Sequence, residues 1–153
     1  GILFQNRGTS FSLDENSPNV FQGGKRPRHT LMPVLVFKDD DLVFVPATMG
    51  GSAQPQIHTQ LLLRSIAGSS PQEATHSPRW VLREPDSEGL VTILAEEDLP
   101  PETKQSLKNT GFNVETLPQH SERLGHSNLI KISNGGYTAA SDPRSDGSAI
   151  IIE

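Results

Sequence analysis

The sequence predicts an α+β fold built in layers, and three observations carry that prediction. Two short apolar runs of strand length lie at 34–37 and 42–45, and further strand-like segments at 91–94 and 128–132. Amphipathic stretches with helix start and stop residues lie between some of them, and the chain order is strands, helices, then strands. With 153 residues the chain is long enough for one domain with a real core and short for a second. It contains neither an internal repeat nor a low-complexity tract.

Taken in order, residues 2–5 (Ile2 to Gln5) have the composition of a short strand. Residues 6–25 then run through Gly, Ser, Asn and Pro with little periodicity, and so long a loop points to a functional segment or one packed on a partner. Val34-Leu35-Val36-Phe37 and Leu42-Val43-Phe44-Val45 flank the charged stretch Lys38-Asp39-Asp40-Asp41, which reads as a hairpin with a solvated turn. Their unbroken apolar runs predict strands buried on both faces. Pro55 to Ala67 reads as a helix, with Ile57, Leu61, Leu62 and Ile66 as its apolar stripe and Gly68 as its stop. Ser70 and Glu73 have the spacing of a capping box that opens a second helix ending before Pro78. Strands follow at 80–82 and 91–94, joined through the acidic stretch 84–89. Residues 100–109 form a surface helix with Leu107 inward and Gly111 as its end. Further strands are expected at 112–117, 128–132, 137–140 and 149–152. Trp80 reads as a core residue.

Composition narrows the function classes. Only 33% of residues are hydrophobic and 5% aromatic, with 13 glycines and 12 prolines, which implies many turns or a surface buried against something outside the chain. The net charge of −5, with no basic stripe, argues against nucleic acid as a partner. No apolar run approaches the length of about 18 residues that a membrane span needs. Absence of cysteine excludes disulfides, thiol catalysis and thiolate metal sites, and leaves the compartment open. The 5 histidines, His29, His58, His76, His120 and His126, show no metal-ligand spacing with carboxylates, so no metal and no cofactor is expected. Gly1-Ile2-Leu3-Phe4 has neither an initiator Met nor a signal-peptide pattern, and the expectation is a piece of a longer product.

The residues most able to do chemistry are Gly50 and Gly51, between the second strand and the first long helix. Two adjacent residues without Cβ let backbone N–H groups approach a ligand closely, and the helix N-terminus adds partial positive charge. Such a corner suits a developing oxyanion. The same pair also serves as a tight strand-to-helix connection, and both readings stand.

Several segments in order resemble the small subunit of the gamma-glutamyltranspeptidase family. They are Asn6-Arg7-Gly8 with Phe11-Ser12-Leu13-Asp14, Gly24-Lys25-Arg26-Pro27 with His29-Thr30-Leu31-Met32-Pro33, and Met49-Gly50-Gly51 with Gln54-Pro55-Gln56. The series continues with Ala74 to Trp80, reading ATHSPRW, and with Ser141-Asp142-Pro143-Arg144 before Asp146-Gly147. The resemblance implies a self-processing N-terminal nucleophile hydrolase with a four-layer αββα sandwich. In that family a freed threonine hydroxyl attacks an amide carbonyl while its own α-amine acts as base. Gly1 has no nucleophilic side chain, and the family's threonine strand precedes the Asn6-Arg7-Gly8 segment. Residues 1–153 are thus expected to be the C-terminal portion of a small subunit, inactive alone. The implied partners are the large subunit and the N-terminal part of the small subunit of the same precursor, with a small amide or gamma-glutamyl substrate.

Residue by residue, the resemblance aligns Gly50 and Gly51 with the glycine pair of the family's oxyanion hole. His29 and Thr30 stand where the amino-acid-specific transpeptidases carry a serine pair for the substrate α-carboxylate. Arg7 and Ser10 fall where those enzymes place an amide and an acid around the α-amino group. Arg7 would repel an ammonium and welcome a carboxylate. The wording NRG-x-SFSLD and KRPxHTLxP is closer to the acylase and oxamate amidohydrolase-like branch. Simpler roles remain open: Arg7 paired with Asp14 or a partner subunit, Lys25-Arg26-Pro27 as a structural turn, and Asp142 with Arg144 tying down a loop. Two classes therefore stand, an acyl-transferring or amide-hydrolysing enzyme and a non-catalytic binding domain on the same fold.

Overall fold

The computed structural model describes residues 1–133, 135–150 and 152. It divides into two compact units, residues 1–31 and 32–153, which are taken separately.

The first unit is an ordered loop. A 3-10 turn covers Arg7–Ser10, and Ser12 pairs with Val20 in an isolated parallel bridge. The Ser12 N–H donates to the Asn19 carbonyl at 2.9 Å and the Phe21 N–H to the Ser12 carbonyl at 2.9 Å. The rings of Phe11 and Phe21 meet edge to face, 5.4 Å between centroids, in the favoured aromatic geometry. The strand expected at 2–5 is not formed: Ile2, Leu3 and Phe4 are exposed and have no ladder partner among the described residues. A strand is stable only when its N–H and C=O groups are paired by a neighbour.

In the second unit, β1 (Val36–Lys38) and β2 (Asp41–Met49) form the expected hairpin, antiparallel and closed by Asp39-Asp40. Asp39 takes a left-handed φ of 55°, which a short polar side chain tolerates. With β6 (His126–Ser133) and β7 (Gly136–Ser141) they make a four-stranded sheet in the order β1-β2-β6-β7. One face of this sheet is covered by α1 (Gln54–Ile66) and α2 (Pro71–His76), where Phe44 and Leu129 pack with Leu61 and Ala74. The other face is open: Met49 is 56% exposed and Tyr137 69%, with Ala47 and Ile130 also exposed. Burial of the hairpin on both faces is therefore corrected to burial on one. An apolar run alone cannot show whether a second layer is present on the chain itself.

A second sheet joins β3 (Trp80–Leu82), β4 (Thr92–Glu96) and β5 (Asn113–Leu117) in sequence order. β4 and β5 are parallel, so the chain must cross over between them, and α3 (Pro101–Lys108) makes that connection. Val81, Leu94 and Leu117 pack on Ile57 and Leu124 from one side of this sheet. From the other, Ile93 and Ala95 pack on Leu99 and Leu107, with half-buried Trp80, Leu82 and Val114 beside them. α1 serves both sheets, giving Ile57 to one core and Leu61 to the other. The α+β class is thus as expected, and Leu107 faces inward as the helix pattern required.

Two core expectations shift. The buried face of α1 is Gln54, Ile57, His58, Leu61 and Ser65, whereas Ile66 is 68% exposed. The i, i+3 and i+4 steps from Gln54 arrive at Ser65 and leave Ile66 beyond the covered stripe. Trp80 is half-buried rather than central. The expected strand 149–152 falls partly on Ile151, which lies outside the described residues; Ala149, Ile150 and Ile152 are not in a strand.

The capping box of α2 is complete. The Ser70 hydroxyl accepts from the Glu73 N–H at 3.2 Å, and the Glu73 carboxylate accepts from the Ser70 N–H at 2.8 Å. Ser70→Ala should destabilise the protein by about 1 kcal/mol, read as a lower unfolding midpoint. Among the described residues no helix is long and apolar enough to cross a membrane.

Candidate active site

β2 ends at Met49, and the chain turns through Gly50 into a 3-10 turn, Gly51–Ala53, that runs directly into α1. The two glycines are needed for different reasons. At Gly50 a Cβ would come 2.8 Å from Ile57 Cδ1, so a side chain there would require the buried Ile57 tip to shift. At Gly51 space is open, but φ is +58°, a left-handed conformation that favours glycine. Gly125, between a 3-10 turn (Glu122–Leu124) and β6, forms the floor of the corner. Its φ is +72°, and a Cβ there would run into the Met49 carbonyl oxygen and come 3.1 Å from Gly50 Cα.

The N–H groups of Gly50 and Gly51 belong to the first turn of the helical segment, where backbone donors lack an intrahelical acceptor. Gly50 is half-buried and Gly51 exposed, so a ligand can reach them. Backbone donors at the positive end of a helix are of the kind that suits an anionic oxygen.

Polar side chains hold this corner from behind. Both the backbone N–H and the side-chain amide of Gln54 donate to the Gly51 carbonyl, the latter at 3.1 Å. The Thr48 hydroxyl lies 3.5 Å from Gln54 Oε1 and 2.9 Å from His58 Nε2. His58 Nε2 is also 3.3 Å from the Met32 carbonyl, which can only accept. The consistent assignment puts the proton on Nε2 and leaves Nδ1, buried and without a partner among the described residues, as a lone pair. Burial pushes the imidazole below its ordinary pKa, against the Met32 carbonyl, which favours the charged form.

Beneath Gly125 lies a buried ionic quartet. Arg79 donates to Asp142 at 2.6 Å and to the Gly125 carbonyl at 3.4 Å. Arg144 donates through Nε to Glu96 at 2.8 Å and through Nη1 to Asp142 at 3.0 Å. Glu96 also accepts from the N–H groups of Arg79 and Ser121, and Asp142 from the N–H and hydroxyl of Ser127. All four charged residues are buried, so the balance of two cations and two anions is what makes the cluster tenable. Burial by itself would raise the Asp142 carboxyl. The Arg79 and Arg144 charges, with hydrogen bonds from the Arg144 N–H and the Ser127 hydroxyl, outweigh it and hold the pKa below the usual range. Asp142 and Arg144 therefore do tie the C-terminal segment down, as expected from the sequence.

The other candidate residues lie in the first unit. Arg7 and Ser10 share one 3-10 turn, both half-buried, and the Ser10 carbonyl accepts from the Asn19 side-chain amide. His29 is exposed and Thr30 half-buried. Among the described residues Arg7 forms no ion pair with Asp14, whose carboxylate instead accepts from the Asn16 N–H at 2.9 Å. Lys25 follows a turn closed by its N–H on the Gln22 carbonyl, and its ammonium donates to the Pro18 carbonyl at 2.7 Å. The structural turn holds, with a backbone carbonyl in place of a charged partner.

Sequence reading missed Gln54, Gly125, Arg79 and Glu96 as parts of the corner and its support. Gln54 carried a weak signal, a polar residue in register with Ile57, His58 and Leu61 on the buried stripe of α1. Glu96 had none, since Glu97 and Asp98 follow it and composition does not distinguish the buried acid.

The family profile described as gamma-glutamyltranspeptidase matches residues 1–152. The chain is 38% identical to the glutathione hydrolase-like YwrD proenzyme of Bacillus subtilis, over 99% of this chain and 29% of that protein. It is 37% identical to the oxamate amidohydrolase proenzyme of Klebsiella pneumoniae, over 97% of this chain and 29% of that protein. The chain thus spans 29% of the length of these curated relatives. Among solved structures, cephalosporin acylase from Bacillus halodurans superposes with a TM-score of 0.83 at 32% identity, covering 100% of this chain and 28% of that one. Gamma-glutamyltranspeptidase from Pseudomonas nitroreducens shares the fold, with a TM-score of 0.78 at 21% identity over 100% of this chain and 83% of that one.

Proposed function

Because this chain belongs to the gamma-glutamyltranspeptidase family, we propose that it is the C-terminal part of the small subunit of a self-processed enzyme that hydrolyses or transfers an acyl group. A threonine outside the chain attacks the substrate amide carbonyl, and its α-amine takes up the hydroxyl proton. The carbonyl oxygen becomes an oxyanion, received by the N–H groups of Gly50 and Gly51. Collapse of this intermediate expels the amine, which leaves with the proton, and an acyl ester remains on the threonine. Water, or an acceptor amine, then releases the acyl group. The observation that carries this reading is the corner itself: Gly50 packed on Ile57 and Gly125, and Gly51 held at φ +58° at the head of α1.

The remainder of the same precursor supplies the nucleophile strand and the large subunit. Two facts support that partner: the curated relatives are more than three times this chain's length, since it covers 29% of each, and the four-stranded sheet has an apolar face left open at Met49, Ile130 and Tyr137. A second sheet of the αββα sandwich would stack on that face at about 10 Å.

Within the family, the substrate is a small amide that itself carries a carboxylate. Arg7 favours an anion over the ammonium of a glutamyl group, Thr30 offers a hydroxyl, and Ser10 and His29 replace an acid and a serine. The identity of 37% to an oxamate amidohydrolase supports this choice, and that of 38% to a glutathione hydrolase-like proenzyme keeps the gamma-glutamyl reaction as the alternative. In the complete enzyme, ammonia release from oxamate should exceed release of the anilide from a gamma-glutamyl anilide in kcat/KM. Faster gamma-glutamyl turnover, with acyl transfer to a dipeptide, would refute this choice and favour the transpeptidase reading.

A further inference from the structure

We propose that Gln54 is a positioning residue for the acyl-transfer reaction: its side-chain amide clamps the Gly51 carbonyl and so, together with the Ala53 N–H on the Gly50 carbonyl, fixes the turn that carries the Gly50 and Gly51 N–H groups. This inference rests on the oxyanion role given to those two groups.

The argument starts from what a left-handed glycine lacks. Gly51 has φ +58° and no atom within 4 Å of a Cβ position, so side-chain packing cannot hold its torsions. Rotation about Gly51 would swing its N–H away from a bound oxygen at small steric cost. Two anchors remove that freedom: the Ala53 N–H donates to the Gly50 carbonyl at 3.1 Å, in the peptide plane of the Gly51 N–H, and Gln54 fixes the next plane by delivering two donors to the Gly51 carbonyl, its backbone N–H and its Nε2 at 3.1 Å. A polar side chain in the first turn of α1 would ordinarily face solvent, yet Gln54 is only 8% exposed. Its position is maintained from the strand side, where the Thr48 hydroxyl donates to Oε1 at 3.5 Å and accepts from His58 Nε2 at 2.9 Å. The chain of donors runs one way, from His58 through Thr48 and Gln54 to Gly51. Reversing it would leave Nε2 without a proton facing the Met32 carbonyl 3.3 Å away. Gln54 touches the corner from behind and acts on the reaction only through Gly51.

The test uses two variants of nearly equal volume in the complete enzyme. Gln54→Met removes the donor and should lower kcat by about 10–100-fold, with KM changed by about twofold or less, because small displacements of a catalytic donor carry costs of that order. Gln54→Glu places a carboxylate oxygen against the Gly51 carbonyl near neutral pH and should lower kcat comparably. As pH falls, the introduced carboxyl takes a proton and regains one donor, so the ratio of variant to parent kcat should climb for Gln54→Glu and stay flat for Gln54→Met. A merely structural role would not produce that divergence. Leu107→Ala, in the core beneath α3, provides a destabilised control whose kcat per active centre should match the parent.

Unchanged kcat in both Gln54 variants, or ratios that vary identically with pH, overturns the inference. A backbone ester in place of the Gly51 amide separates the two levels of the argument. If the ester enzyme keeps its kcat, the oxyanion role fails and this inference with it. If the ester enzyme loses kcat while the Gln54 variants do not, this inference alone fails.

Discussion

Arg144→Ala should destabilise the protein by about 3–5 kcal/mol, because it leaves the buried Glu96 carboxylate without its cationic partner and an unbalanced charge in the cluster. The guanidinium donates to Glu96 and to Asp142, both buried, and through Nη1 and Nη2 to the Thr75 and Ser77 carbonyls at the end of α2. Its loss takes the cationic partner from Glu96 and a donor from the Ser77 carbonyl, while Asp142 and the Thr75 carbonyl keep only Arg79 of their two arginines. The expected readout is a much lower thermal midpoint, or loss of soluble protein, in the complete enzyme. Arg123→Ala is the informative contrast. Its ion pair with Glu115 is about half exposed on both sides, and its removal should leave the midpoint where it was. Equal effects from the two substitutions would contradict the account of the quartet.

The same cluster sets an acid limit. The Asp142 carboxyl titrates below its usual value in the folded state, so its contribution is fully present above the unfolded value of about 3.9 and is lost as pH falls through the folded value. Asp142→Asn should therefore lower stability at neutral pH and flatten the decline below about pH 3.9. A parallel decline in parent and variant would show that other carboxyls govern the acid limb.

Replacing the Gly51 amide by an ester should lower kcat by about 100–1000-fold, the range found when one oxyanion donor is removed. The ester keeps the glycine's freedom to sit at φ +58° and adds no side chain. Proline, the simpler way to delete an N–H, is unsuitable because its φ is held near −65°, on the opposite side of the map. The loss should fall on kcat, since the charge on the carbonyl oxygen develops after binding. A KM effect alone would assign Gly51 to ground-state binding, and no effect would return the glycine pair to the role of a tight connection.

Much of the corner was legible before any coordinates. Gly50-Gly51 between an apolar run and a helix start is a local signal, as are the Ser70–Glu73 capping box, the Asp39-Asp40 hairpin turn and the inward Leu107. Each depends on residues within a few positions of one another, and backbone sterics and orphan N–H groups act at that range. The errors were of a different kind. Residues 2–5 have strand composition and no ladder partner among the described residues, Ile66 is apolar and falls outside the covered stripe, and the hairpin is apolar on a face that no described layer of its own unit covers.

What the sequence determined by itself is the family, the α+β class and the place of the glycine pair, because ordered motifs, periodicity and glycine's freedom are all properties of short segments. Only the tertiary structure decided what supports that pair. Glu96 and Arg144 are 48 residues apart and Arg79 and Asp142 are 63 apart, so nothing in local pattern distinguishes them from the solvated charges beside them. Burial selects them, since a charge removed from water must find an opposite charge and a full set of hydrogen bonds. The same holds for Gln54 and Gly125: one becomes a clamp and the other a floor only because β6 and α1 meet at the end of β2.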